Sequence, residues 1–236
     1  LTVSNPCGSA TDWSYFKIDN PPYYRMASTK NDEDISFIEN NFLPKKYISA
    51  AAIGYYGNSD TIEFDENSKP ASSDFLPECC QIWENAIQDM QSIGVPTAWI
   101  RIGIVLSTQG GALQKMLQTA KFGLNTYFGN GKQTSSWIHI DDLCAAFLFC
   151  LENENCNGAF NFTGPAPVLQ KEIISTAVKT FKSKAIIAPI PPFVLKLALG
   201  EMAEMVLNSQ RCMPLKLTQL GFQFKVKSIE QALSAL

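Results

Sequence analysis

From Tyr47 onward, apolar runs of strand length alternate with segments whose apolar positions recur at helical spacing. Tyr47-Ile48-Ser49-Ala50-Ala51-Ala52-Ile53-Gly54 is a run of small and apolar residues that predicts a buried strand ending in a glycine turn. Asp74 and Phe75 open a predicted helix through Trp83, Ala86, Ile87 and Met90, with Asp74 as its N-cap and Gly94 as its stop. Val95 to Leu106 predicts a second strand, and Gly110-Gly111 leads into a third element from Ala112 to Gly123. Strand, helix, strand, helix in this rhythm predicts an α/β protein built on a parallel sheet with helices on its faces.

The later pattern is less regular. Ser136 to Ile140 reads as a short extended stretch, with Asp141-Asp142 capping an apolar helix from Leu143 to Leu151. Gly158 to Thr163 predicts a strand, Gly164 to Pro167 a turn, and Gln170 to Phe181 a helix. Ala188-Pro189-Ile190-Pro191-Pro192 reads as a proline-rich connector. Helices are expected at Phe193 to Asn208 and Pro214 to Leu220, with a short amphipathic segment from Ser228 to Leu236. Before position 45 the pattern weakens: Leu1-Thr2-Val3 reads as the end of a strand and Asp34 to Asn40 as a helix, while Asn20-Pro21-Pro22-Tyr23-Tyr24 fits neither.

Composition narrows the function classes. With 46% hydrophobic residues over 236 positions the chain is not disordered. Its longest apolar run, Ala145 to Leu151, is far short of the roughly 20 residues that a bilayer helix needs. The net charge of −3 gives no electrostatic case for nucleic acid or an anionic membrane, so a small-molecule ligand is expected. Seven cysteines, scattered apart from Cys79-Cys80, and a single histidine argue against a disulfide framework or a zinc site, and a cytoplasmic setting is expected. Of the 14 glycines only Gly8 precedes position 54.

Four places carry candidate chemistry. Small side chains at the carboxyl end of the strand near Ala51 leave room for a ligand at the sheet edge, or serve close packing against a helix. Gly110-Gly111 before a helix has the form of a phosphate cradle, and Gly129-Asn130-Gly131-Lys132 is a tight turn ending in a cation. His139, followed by Asp141 and Asp142, reads either as an acid/base group or, more commonly for a lone histidine, as a structural one with Asp141 capping the helix.

Together these blocks resemble a known family. Ser49-Ala50-Ala51-Ala52-Ile53-Gly54-Tyr55-Tyr56-Gly57, Asp74-Phe75-Leu76, Trp83-Glu84, Arg101 to Leu106, Gly110 to Leu113 and Gly129 to Gln133 are similar to blocks of the extended short-chain dehydrogenase/reductases. Ser136 to Leu143 and Leu199-Gly200-Glu201-Met202 narrow the resemblance to the epimerase-family branch. It implies a Rossmann-type doubly wound parallel sheet with a smaller C-terminal α/β substrate domain. The implied division is 1–163 and 164–236, with parts of the cleft from 124–142. It also implies NADP as cofactor, NAD being the alternative, and a nucleotide sugar as substrate, with no metal. Ser49, Ala50, Ala51, Arg101, Gly103, Ile104 and Val105 would contact the cofactor, Gly103 giving backbone clearance and Val105 an apolar wall. Tyr55, Gly131, Lys132, Trp137 and His139 would line the substrate cleft, with Trp137 closing it.

The sequence departs from that family twice. The superfamily's Ser/Thr and Tyr-x-x-x-Lys groups, which pass a proton to the substrate oxygen, correspond here to Ala51, Cys79 and Trp83. The glycine-rich turn that holds the pyrophosphate has no counterpart before Gly54, and Ser4 or Asn5 stands where an arginine facing the NADP phosphate is expected. The first 45 residues thus read as an incomplete beginning, short of one strand-turn-helix unit and a neighbouring strand and helix. Three readings follow: an epimerase or oxidoreductase, a cofactor-binding sensor or regulator without catalysis, and a protein that binds no dinucleotide.

Overall fold

The computed structural model describes residues 24–27, 44–71, 74–110, 113, 114, 117, 124–181, 184 and 186–236. The expected strand end at Leu1-Thr2-Val3, the positions Ser4 and Asn5, the Asp34 to Asn40 helix and most of the Ala112 to Gly123 element lie outside these residues.

A parallel sheet is present. Strands β1 (Tyr24–Ala27), β2 (Lys46–Ala52), β4 (Thr97–Ile102) and β9 (Gly158–Phe162) lie side by side in the order β1-β2-β4-β9, all parallel. Alternation along each strand explains why the runs are apolar throughout. Ile48, Ala98, Ile100, Phe160 and Phe162 face one side, where they form a core with Leu143, Ala146 and Cys150 of helix α2 (Ile140–Glu152). Tyr47 and Trp99 face the other, against Ile87 and Met90 of helix α1 (Phe75–Ser92). Both faces of the sheet are therefore covered. A third cluster gathers Trp137, Leu106, Leu113 and helices α3 (Gln170–Thr180) and α7 (Ile229–Ser234).

Several expectations are corrected. Tyr24, placed in no element from sequence, begins β1. The Val95 to Leu106 run is two strands: β4 ends at Ile102, and β5 (Ile104–Leu106) leaves the sheet to pair with β8 (Trp137–His139). Gly103 is the switch, its amide bonding the Phe162 carbonyl while the Ile104 amide bonds that of Ser136. A side chain at Gly103 would begin 2.6 Å from the Ser136 oxygen, so the crossing needs glycine. At the start of α2, Asp141 is not the cap; His139 is, its Nδ1 accepting the Asp141 amide at 3.2 Å. Asp142 instead accepts the amides of Lys225 and Val226. Asp74 holds the N-cap position of α1 without a side-chain capping bond.

The proline-rich connector proves to be β11 (Ile186–Ile190), paired parallel with β6 (Leu124–Phe128); a two-stranded edge tolerates Pro189. The single helix expected from Phe193 to Asn208 breaks at Gly200, φ 58°, into α4 (Pro192–Leu199), a 3₁₀ turn and α5 (Glu204–Leu207). Strands β10 (Val168–Leu169) and β12 (Arg211–Cys212) pair with β7 (Thr134–Ser135) and β3 (Glu63–Phe64) respectively, so the late chain is laced into the early one. Helix α6 (Leu215–Gln219) sends Leu217 into the first core. No helix among the described residues is long and apolar enough to cross a membrane.

Candidate functional site

The last row of the sheet aligns Ala51 of β2 with Arg101 of β4 and Asn161 of β9. Arg101 is 3% exposed on the α1 face, and a buried guanidinium requires a counter-charge. Glu84 supplies it from the apolar stripe of α1. Its carboxylate accepts two bonds of 2.7 Å, from Nε and Nη2. Arg101 Nη1 donates at 2.8 Å to the Tyr56 hydroxyl, which donates at 2.7 Å to Asn161 Oδ1. The guanidinium lies 3.5 Å from the centre of the Tyr55 ring. Ala51 is buried in that row and carries no hydroxyl.

The electrostatics follow from burial. Desolvation works against the charge on Arg101, but the bonds to Glu84 and the contact with Tyr56 outweigh it and hold the group protonated. Burial raises the Tyr56 hydroxyl far above its usual value, with Arg101 opposing. Tyr55 is raised for the same reason and opposed by the same neighbour. Cys80, beside Gly54, is pushed up to about 12 by burial and by Glu84.

The network continues into the C-terminal part. Asn161 Nδ2 donates to the Met213 carbonyl, and Glu66 Oε1 accepts the amides of Asn161 and Lys216. Gln210 Nε2 donates to the carbonyls of Ile53 and Gly57, clamping the 3₁₀ turn Ile53–Tyr56 that carries both tyrosines, and its amide bonds the Thr134 carbonyl.

The expected site residues divide into three groups. Ala51, Arg101 and Tyr55 meet at the sheet's carboxyl end, where Ala50 is half-buried and Ser49 fully buried. Cys79 and Trp83, on α1, are half-buried. Gly131 and Lys132 form part of the turn after β6; Gly131, φ 70°, packs on the Tyr127 ring and its carbonyl accepts the Lys171 amide at the start of α3, while Lys132 is exposed. Trp137 does not stand at an opening: it is 1% exposed in the third cluster and donates from Nε1 to the Ala166 carbonyl. His139 is buried, and its Nε2 has no hydrogen-bond partner among the described residues. Ile104 packs on the Trp137 cluster and Val105 on the first core. Among the described residues no group of three His, Cys, Asp or Glu side chains is placed to hold a metal.

Glu84, Tyr56, Glu66, Asn161 and Gln210 went unassigned in the sequence. The signal for Glu84 is present there: a carboxylate on the Cys80, Ile87 face of an amphipathic helix, matched by an arginine inside an apolar strand. Asn161 and Gln210 carry no such local mark.

Residues 190–236 match the family described as "Domain of unknown function (DUF1731)". The "epimerase family protein SDR39U1 homolog, chloroplastic" of Arabidopsis thaliana is 40% identical over 194 residues, 82% of this chain and 55% of that protein. The crystal structure of human epimerase family protein SDR39U1 (isoform 2) with NADPH superimposes with a TM-score of 0.75 at 30% identity, over 81% of this chain and 65% of that one. A nucleoside-diphosphate sugar epimerase from Corynebacterium glutamicum does so with a TM-score of 0.65 at 25% identity, over 90% and 46%. The chain thus spans between about half and two thirds of the length of these relatives.

Proposed function

The chain belongs to the epimerase-family branch of the extended short-chain dehydrogenase/reductases, with their Rossmann-type α/β fold, and on that premise we propose that it binds a nicotinamide dinucleotide, NADP ahead of NAD, across the carboxyl ends of β2 and β4. Its substrate is a small molecule of the nucleotide-sugar class. The observation that carries this reading is the small-residue end of β2. There Ala50 and Ala52 are half-buried and carry only methyl side chains, in a chain similar to a human relative solved with NADPH. These residues fit the nicotinamide half of the cofactor, with Val105 as a half-buried apolar neighbour.

When bound, the nicotinamide supplies or takes up a hydride. The chain's own residues handle the proton. Ala51 has no ionisable group, and Trp83 offers only an indole N–H. Tyr56 is committed to Arg101 and Asn161. Tyr55 is left: half-buried, its hydroxyl raised by burial and its ring against a permanent cation that opposes the rise, as a lysine would. Tyr55 is thus the proton donor and acceptor, and Arg101, fixed by Glu84, is the group that positions and polarises it.

The reading is tested by titrating the full-length protein with NADPH while following nicotinamide fluorescence, then assaying turnover on a panel of nucleotide sugars. Saturable NADPH binding with turnover is expected. Tyr55→Phe is expected to keep NADPH affinity and lose about 100-fold or more in rate, the usual range for a missing general acid/base. Absence of NADPH binding overturns the cofactor assignment. Binding without turnover on any nucleotide sugar overturns the catalytic part and leaves a sensor.

A further inference from the structure

At the amino-terminal end of the sheet, away from the row of Ala51 and Arg101, three groups meet that the proposed reaction does not use. Cys150 lies in the last turns of α2, and Cys156 follows the tight turn into β9. Both are fully buried, belong to the same core cluster, and are joined by a side-chain hydrogen bond. Lys46, first residue of β2 and itself 4% exposed, reaches over the turn between them and donates from Nζ to the Asn153 carbonyl at 2.6 Å. Burial lowers the Lys46 amine, while its electrostatic interactions with both thiols and with Glu154 favour the ammonium.

We infer that Cys150, Cys156 and Lys46 form a reversible oxidation site at which a peroxide converts the two thiols into a disulfide that staples the end of α2 to the start of β9.

The chemistry balances within the named groups. The Cys156 thiolate attacks a peroxide oxygen; an S–O bond forms, the O–O bond breaks, and the departing hydroxide leaves as water after taking up a proton. The Cys150 sulfur then attacks Cys156; the S–S bond forms, the S–O bond breaks, and the second hydroxide leaves as water with the Cys150 proton. Two thiols are oxidised to one disulfide and one hydrogen peroxide is reduced to two waters.

Cys156 is the suited attacking thiol because it lies within the covering turn, between the exposed Asn155 and Asn157, whereas Cys150 lies inside the helix. The hydrogen bond from Cys150 lowers the Cys156 thiol below its ordinary range, burial opposes this, and the Lys46 ammonium adds to the lowering. Cys150 is raised in turn, as the donor of that bond. The cover over the pair is a single turn of exposed polar residues, Glu154, Asn155 and Asn157, held by local bonds such as the Cys156 amide to the Asn153 carbonyl. Entry of a small peroxide requires local opening of this turn, short of unfolding the sheet. All six described cysteines are free thiols, and Cys144 is the exposed one against which selectivity is measured.

The test treats the full-length protein with stoichiometric hydrogen peroxide, blocks remaining thiols, and cleaves after glutamate, since Glu152 and Glu154 separate the two cysteines. The expected result is a linked peptide pair containing Cys150 and Cys156, lost on reduction, formed before Cys144 is oxidised. Amide exchange over residues 153–157 slows once the bond is made. Lys46→Met, which keeps the stem and removes the charge, is expected to slow linkage severalfold. Recovery of Cys150 and Cys156 as free thiols while Cys144 carries the oxidation overturns the inference, as does Cys156 found as a sulfinic acid with Cys150 untouched. An unchanged rate in folded Lys46→Met removes Lys46 from the site.

Discussion

Replacing Glu84 by glutamine tests the network at the end of the sheet. In a two-bond guanidinium–carboxylate pair the charge centres lie about 4 Å apart, an attraction of about 4 kcal/mol at an effective dielectric constant near 20. Arg101 is 3% exposed and Glu84 4%, so solvent does not replace the lost partner. The guanidinium stays charged, held by the Tyr56 hydroxyl, the Tyr55 ring and at most one bond to the glutamine carbonyl oxygen, with no counter-charge. Breaking a buried pair in this way costs about 3–5 kcal/mol. For a chain of this length that is a fall of roughly 6–20 °C in melting temperature. The double variant Glu84→Leu with Arg101→Met removes both desolvation penalties and is expected to lie much closer to wild type. Urea unfolding of the wild type, Glu84→Leu, Arg101→Met and the double variant completes a double-mutant cycle and yields a coupling energy. Single-variant losses below about 1 kcal/mol, the range of exposed pairs, would refute the claim that this pair is a buried structural unit.

Two further outcomes follow from the geometry. Gly103→Ala places its Cβ 2.6 Å from the Ser136 carbonyl oxygen; thermal melts should show a loss of about 1–3 kcal/mol from the strained strand switch, and an unchanged melt would mean the switch is not tight. Glu66 has its carboxyl raised above the ordinary 4.5 by burial, against the Asn161 and Lys216 amides that lower it. The folded state therefore holds a proton that the unfolded state has lost just above pH 4.5, so its contribution to stability falls as pH rises from there through the folded value. The stability of wild type relative to Glu66→Gln should decline across that window in urea titrations at stepped pH. A difference that is flat or rising with pH refutes it.

The elements legible in the sequence were those whose pattern is local and uninterrupted. The run around Ile48 and the helix through Ile87 announce themselves because each satisfies a single periodicity, and the parallel sheet follows from their order. The strand break at Gly103 is hidden in an unbroken apolar run, since what ends β4 is the Ser136 carbonyl, 33 positions away in the chain. Strand β11 is masked by Pro189, Pro191 and Pro192, residues that argue against a strand everywhere except at an edge. At the site, the blocks containing Tyr55, Arg101 and Glu84 were visible, but their mutual contacts were not. Tyr56 to Asn161 spans 105 positions and Gln210 to Gly57 spans 153. Trp137 illustrates the converse: an aromatic in a cleft-like motif that the packing draws into a core with Val226 and Ile229.

The measurement that bears most directly on the proposed cofactor cleft is amide hydrogen exchange of the full-length protein with and without saturating NADPH. Slower exchange is expected over residues 49–55 and 101–105, the carboxyl end of β2 with its tyrosine turn and the end of β4 with the switch into β5, with little change at Lys46 and residues 150–157 at the opposite end. Bound NADPH that leaves residues 49–55 and 101–105 unprotected would contradict it.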